Sequence, residues 1–218
     1  MDEEFWQARW RENRTGFHED RPHEMLLGHF DRLGLSAGDA VFVPLCGKSV
    51  DLDWLLDRGL RVTGVEFSRQ AVEEVFARLA LTPQIRDAGN TICFSAGALQ
   101  IFVGDFFDLT GSMLRRTDAV YDRAALVALP GHARPGYASR LADLTGAARQ
   151  LLISLDYDQS QMDGPPFSVP EREIRDLYEN GFDVELLSRR EIAGPLAQRC
   201  DGNEEAWLLD PRSASITA

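Results

Sequence analysis

From residue 41 onward the chain alternates short apolar runs with stretches punctuated as helices, and that order restricts the fold more than any other feature. Val41–Leu45 is the first run, followed by a helix from Val50 to Arg58 that stops at Gly59. Val62–Val65 leads into a helix from Ser68, a natural N-cap, to about Ala80. Thr91–Phe94 and Leu99–Val103, separated by Ser-Ala-Gly-Ala, read as a hairpin or an added strand. Ala119–Tyr121 precedes a helix over 135–149, and Leu151–Leu155 is apolar enough to be covered on both faces. A helix over Pro170–Glu179 and strands at Phe182–Leu187 and Ala206–Leu209 complete the pattern. This order predicts an α/β fold: a mostly parallel, seven-stranded sheet with helices on both faces. Ahead of it, residues 3–14 have the spacing of an amphipathic helix carrying Phe5, Trp6 and Trp10, and Pro22 to Gly34 brackets a second helix. The expected organisation is one domain over 1–218, with a helical cap at 1–34 and the α/β core at 35–218.

Composition narrows the function classes. The formal net charge of −12 argues against a nucleic-acid partner, because neutralising phosphates needs clustered Lys and Arg, and equally against an anionic membrane surface. Cys46, Cys93 and Cys200 are odd in number and widely spaced, with no CxxC, so neither a disulfide framework nor a zinc site is indicated. His18, His23, His29 and His132 lack metal-binding spacing, and no metal is expected. The opening MDEEFWQARW is acidic where a signal peptide is basic, and no apolar run approaches a membrane span. A cytoplasmic monomer is the expectation. Of the 23 basic residues only Lys48 is lysine.

In sheets of this kind ligands bind beyond the carboxyl ends of the strands, so the residues just after each strand are the ones to read. After the first comes Pro44-Leu45-Cys46-Gly47-Lys48-Ser49, a turn that brings backbone N–H groups and a helix start towards a ligand. It is neither GxGxxG nor a Walker loop, since Phe42 stands where the first Walker glycine belongs. After the second strand comes Glu66, at the spacing from Gly47 where an acid accepts from ribose hydroxyls. After the third, Asp105 and Phe106 suit a purine, offering an acceptor and an apolar contact. After the fourth, Asp122-Arg123 places a charged pair between apolar segments, and such a pair must be partnered or face a ligand if buried. After the fifth, Gly164-Pro165-Pro166-Phe167 is a stiff loop able to present Phe167 as a pocket wall. Together these describe an adenosine-type site in a Rossmann-like fold. No nucleophile elbow or Ser/His/Asp order supports hydrolysis.

The segments FWQARWRENRTGFH, VFVPLCGKSVDLDWL, GVEFS, YDRAALVALP and SLDYDQSQMDGPPFSVP resemble the thiopurine S-methyltransferase family, in order and spacing, from residue 5 to about residue 180. The resemblance implies a class I methyltransferase fold with an N-terminal helical lid, and S-adenosyl-L-methionine as cofactor. It implies cofactor contacts from Trp10, Leu45, Gly47, Glu66 and Arg123, with Asp105 and Phe106 beside the adenine. Phe17 and Arg123 would lie near the acceptor, with Phe167 as a further acceptor contact. The implied acceptors are aromatic or heterocyclic thiols, and in bacterial members selenium and tellurium oxyanions.

The chemistry suits what the residues lack. A heteroaromatic thiol is partly thiolate at neutral pH, and the thiolate is the nucleophile, so no strong general base is required. Arg123, with its permanent charge, is the expected group for positioning an anionic acceptor. The Trp6/Trp10 helix and the Phe167 loop would close over the site and exclude water. Alternatives are a halide or small-thiol methyltransferase, which a Gly-rich GCGxG turn would favour, a NAD-dependent oxidoreductase, which would need GxGxxG, and a non-catalytic module for an adenosine ligand.

Overall fold

The computed structural model describes residues 20–114 and 116–212. Five parallel strands form the middle of a sheet: β1 (Ala40–Val43), β2 (Arg61–Glu66), β5 (Leu99–Val103), β6 (Ala119–Arg123) and β7 (Arg149–Tyr157). An antiparallel hairpin, β3 (Gln84–Ala88) and β4 (Thr91–Ala96), extends one edge. At the other edge β9 (Gly202–Pro211) and β8 (Phe182–Glu191) run antiparallel to β7 and to each other. The order is β3-β4-β5-β2-β1-β6-β7-β9-β8.

Side chains alternate across the central strands, and the core divides accordingly. Val41, Val43, Tyr121, Leu151 and Ile153 face one side, where α1 (Glu24–His29), α2 (Asp51–Asp57) and α3 (Arg69–Arg78) bury Leu26, Leu52, Leu55, Val72 and Val75. Phe42, Val120 and Leu152 face the other, against Leu114 of α4 (Gly111–Leu114), Tyr137 and Leu141 of α5 (Arg134–Thr145), and Ile174 of α6 (Glu171–Tyr178). Strands covered on both sides read as unbroken apolar runs, which is why their sequence was unambiguous. Ser68 caps α3 as expected, its hydroxyl accepting from the Ala71 N–H at 3.2 Å.

Two features depart from expectation. The sheet has nine strands rather than seven, and it is mixed: parallel in its centre, antiparallel at both edges. The unforeseen strand, β3, is QIRDA, almost wholly exposed, and it has no apolar face to announce it. It is a strand because β4 offers it an open edge. The last two strands also run longer than their apolar cores. Their ends carry Arg189 opposite the buried Glu205 and Arg190 opposite Glu204, so the extension rests on cross-strand charge pairs rather than on apolar packing. The helix expected at 3–14 lies outside the described residues.

Candidate active site

After β1 the chain passes to β2 on one side, and later to β6 on the other, so the crevice between β1 and β6 is the topological switch point. A cavity of about 640 Å³ opens there, at the carboxyl ends of the parallel strands. Leu45, Gly47, Glu66, Phe106 and Arg123 line it, so one space gathers residues from four different strand ends.

The turn after β1 is held from several directions. Leu45 has φ 45° and Gly47 φ 52°, the left-handed region that a Cβ disfavours, and they reverse the chain tightly enough to turn backbone inward. The Cys46 N–H donates to the Val65 carbonyl at 3.0 Å, stitching the turn to β2. Glu66, 8% exposed, accepts the Gly47 N–H on one oxygen and the Ser68 N–H on the other, both at 2.9 Å. Lys48 does not line the cavity; its ammonium reaches Glu74 of α3 at 2.6 Å. Arg78 donates to the Lys48 and Ser49 carbonyls and forks onto Asp53. The turn is therefore clamped from α3, and the single lysine is part of the clamp. Burial, reinforced by the Glu66 charge, pushes the Cys46 thiol well above its ordinary range, so it stays protonated.

The turn after β6 divides by strand alternation. Arg123 lines the cavity, whereas Asp122 is buried on the opposite face of the sheet. The Asp122 carboxylate accepts from the Tyr137 hydroxyl at 2.6 Å and from the Leu126 N–H at 3.1 Å. Burial pushes it up to about 6, against the pull of those donors.

Two expected contacts sit elsewhere. Asp105 does not line the cavity; its carboxylate accepts the Phe107 N–H at 2.9 Å and caps the turn Phe106–Asp108. Phe106 does line it, but as a core residue packed 4.9 Å from the Tyr137 ring. Phe167 is likewise absent from the lining. Its ring packs on Gly164, where φ is +75° and an added Cβ would run into the ring, and lies 5.9 Å from the Arg134 guanidinium. Pro165 and Pro166 form the wall instead. Nor is this loop free to close: Phe167 N–H donates to the Val127 carbonyl, Tyr157 Oη to the Pro166 carbonyl, and Ser168 N–H to Gln159. Trp6, Trp10 and Phe17 lie outside the described residues.

The far wall was not foreseen. The extended ends of β8 and β9 bring Arg190 and Glu204, and the loop between them brings Ile192 to Leu196. Arg190 grips Glu204 at 2.6 and 2.9 Å and also pairs with Glu24 of α1. Burial raises the Glu204 carboxyl, but the buried His23 ring at 3.0 Å and Arg190 more than offset it and hold it below the ordinary range. The His23 N–H donates to Asp51 of α2 at 2.8 Å, and Asp51 accepts from Tyr121 Oη at 3.0 Å. The segment at His23 is thus docked through polar groups onto both α2 and β9. The opposite charges of Arg189-Arg190 and Glu204-Glu205 were the available signal. Among the described residues no cluster of His, Cys, Asp or Glu is arranged to hold a metal ion, and no helix is long and apolar enough to cross a membrane.

The geometry agrees with the relatives. A family model described as thiopurine S-methyltransferase matches residues 1–208. Thiopurine S-methyltransferase from Gluconobacter oxydans is 48% identical over 207 residues, covering 95% of this chain and 94% of its own. That from Xanthobacter autotrophicus is 47% identical over 211 residues, covering 96% and 99%. Among solved structures, the 1,6-didemethyltoxoflavin-N1-methyltransferase of Burkholderia thailandensis, bound to 1,6-didemethyltoxoflavin and S-adenosylhomocysteine, superposes with a TM-score of 0.66 at 15% identity, covering 95% of this chain and 87% of that one. An Anabaena variabilis SAM-dependent methyltransferase gives 0.61 at 15% identity, covering 96% and 95%. With the fold shared by these enzymes and nearly half its residues shared with curated relatives along its length, this chain belongs to the thiopurine S-methyltransferase family.

Proposed function

We propose that this protein is an S-adenosylmethionine-dependent methyltransferase acting on the sulfur of aromatic or heterocyclic thiols. The observation that carries this is the meeting of the Gly47 turn, the Glu66 carboxylate and Arg123 around one cavity of about 640 Å³, a volume suited to a cofactor and a small acceptor together. The residues fit the cofactor. Glu66 accepts the backbone N–H of Gly47 on one oxygen and that of Ser68 on the other, which holds an ionised acceptor of the kind a ribose hydroxyl donates to at the end of β2. Leu45 and Gly47 turn backbone towards it, and Val65, Phe106 and Ala124 supply apolar surface for a base. When bound, S-adenosylmethionine supplies a methyl already activated on a sulfonium.

The protein's task is then placement. Arg123 holds an anionic acceptor with a planar guanidinium whose fork can meet ring nitrogens or oxygens. Val127, Ala128, Pro165, Pro166, Ile192 and Leu196 line the remaining wall and displace water, which favours a thiolate losing its charge. Orientation in such a pocket contributes up to about 7 to 11 kcal/mol of barrier lowering. The pinned Gly-Pro-Pro loop supports this as a fixed wall rather than a lid. Trp10 completes the cofactor site and Phe17 the acceptor site in this reading, while Asp105 acts through the turn that presents Phe106. The chain is one catalytic domain, monomeric and cytoplasmic, with no nucleic-acid partner. Selenium and tellurium compounds are further acceptors.

Calorimetric titration with S-adenosylmethionine and with NAD, followed by a methyl-transfer panel of aromatic thiols, aliphatic thiols, selenite and tellurite, tests the reading. Binding of S-adenosylmethionine with turnover of aromatic thiols is expected. No binding, or binding without turnover of any thiol, overturns it.

A further inference from the structure

The strand β6 ends in two charged residues with opposite fates, and only one of them reaches the cavity. Asp122 is fully buried on the α5 side of the sheet and contributes nothing to the cavity lining. Two donors bond it, the Tyr137 hydroxyl at 2.6 Å and the Leu126 N–H at 3.1 Å, and the Ala125 N–H adds to the pull that favours its charge. The two amides belong to the turn that follows Arg123. That turn contains Ala124 at φ 64°, a conformation an alanine does not hold unaided, and it goes on to Val127 and Ala128. Arg123, Ala124, Val127 and Ala128 all line the cavity.

We propose that Asp122 is a positioning residue for methyl transfer: its ionised carboxylate, anchored by Tyr137, caps the turn after β6 and so aims Arg123 and the wall at Val127 and Ala128 at the acceptor. The proposal rests on the function given above. Its physical basis is the carboxylate charge. An ionised carboxylate is acceptor-only and holds its donors by charge-assisted bonds; protonation removes the charge and turns one oxygen into a donor, which weakens its grip on the Tyr137 hydroxyl and the turn amides. Burial pushes this carboxyl up to about 6, so the change falls within reach of ordinary assay conditions. The titratable and charged groups around it are Tyr137 from α5, Tyr178 from α6 and Arg123 beside it in β6. Both tyrosines are held protonated by burial and by the Asp122 charge, so a transition near pH 6 here belongs to Asp122.

The test is the pH dependence of methyl transfer from pH 5 to 8, with a nitro-substituted aromatic thiol that stays ionised across that range. It is run on wild type, Asp122→Asn and Tyr137→Phe, with S-adenosylhomocysteine affinity measured alongside. Wild-type kcat should fall by about tenfold from its plateau to pH 5, following the ionised fraction of a single group. Asp122→Asn should lose the inflection, and Tyr137→Phe, which removes a donor favouring the ionised form, should move it to higher pH. Amide chemical shifts of Ala125 and Leu126 in full-length protein supply a readout that needs no turnover: both should titrate with the same midpoint, and the midpoint should move in Tyr137→Phe. An inflection that survives Asp122→Asn and ignores Tyr137→Phe overturns the proposal, as do Leu126 and Ala125 amides that do not titrate. If S-adenosylhomocysteine fails to bind, the functional reading falls, and the amide titration still decides whether Asp122 controls the turn.

Discussion

The carboxylate of Glu66 accepts the backbone N–H of Gly47 at 2.9 Å, so the residue that ends β2 also fixes the turn that follows β1. Their separation in sequence suits a ribose-binding acid, and the fold converts that separation into a direct bond. Glu66→Ala should therefore act twice, removing a partner for the ribose and loosening the turn. Cofactor affinity should drop by about 1.5 to 3 kcal/mol, the range for hydrogen bonds to a charged group. Calorimetry with S-adenosylhomocysteine measures this, and an unchanged affinity would take Glu66 out of the site.

Arg123→Ala should lower turnover of thiols that carry an anionic group more than turnover of neutral ones. Loss of a charged hydrogen bond worth about 1.5 to 3 kcal/mol predicts a difference of tenfold or more between the two classes. Steady-state kinetics with paired acceptors gives the ratio, and equal losses would sink the acceptor role.

Cys46 lines the cavity, yet burial and the Glu66 charge keep its thiol protonated. Native protein should react slowly with iodoacetamide at pH 7.5 at this position, and Cys46→Ser should retain most of its turnover. Complete inactivation of folded Cys46→Ser would require a covalent role that the geometry does not provide.

Gly164→Ala places a Cβ against the Phe167 ring at a backbone angle of +75°. Strain and displaced packing predict a loss of about 1 to 3 kcal/mol in stability. Denaturant unfolding measures the loss, and because Pro165 and Pro166 form the wall, acceptor KM should rise with it. A variant as stable as wild type would show that the loop is not held as described.

Asp122 is ionised at neutral pH despite full burial, and this has a sign in stability. Its carboxyl stands at about 6 in the folded protein against an ordinary 3.8. The folded state binds the proton more readily, so this group's contribution to stability falls as pH rises from about 4 through 6. Asp122→Asn should therefore be more stable than wild type at pH 7.5, by about 1 to 3 kcal/mol, with the gain disappearing at pH 4. Unfolding curves at the two pH values decide it. Stability gained alongside a flattened activity profile would show a charge kept at a cost to the fold for what it does to the turn.

The parts legible in the sequence were those written by burial on both faces or by a local turn. β1, β2, β5 and β7 are apolar because helices cover both sides of the sheet, and Leu45-Cys46-Gly47 reverses the chain between β1 and α2 with two residues at positive φ. Leu45, Gly47, Glu66, Phe106 and Arg123, at or just after the ends of β1, β2, β5 and β6, line one cavity. Asp105 and Phe167 do not line that cavity: sequence order identifies which residue follows a strand but not which way its side chain leaves the turn. β3, which has no apolar face, was not visible at all.

The sequence by itself determined the order of elements, the parallel centre of the sheet and the strand ends that meet at the cavity, because hydrophobic period and turn residues are local properties. Tertiary structure alone decided the far wall of the cavity. Arg190 and Glu204 are ordinary surface charges until β8 and β9 pair in register and set them opposite each other, and His23 gains a buried partner only across that register. It also decided the division between Arg123 and Asp122. Strand alternation sends neighbouring side chains to opposite faces, and only the packing of α5 against one of those faces makes that face the buried one.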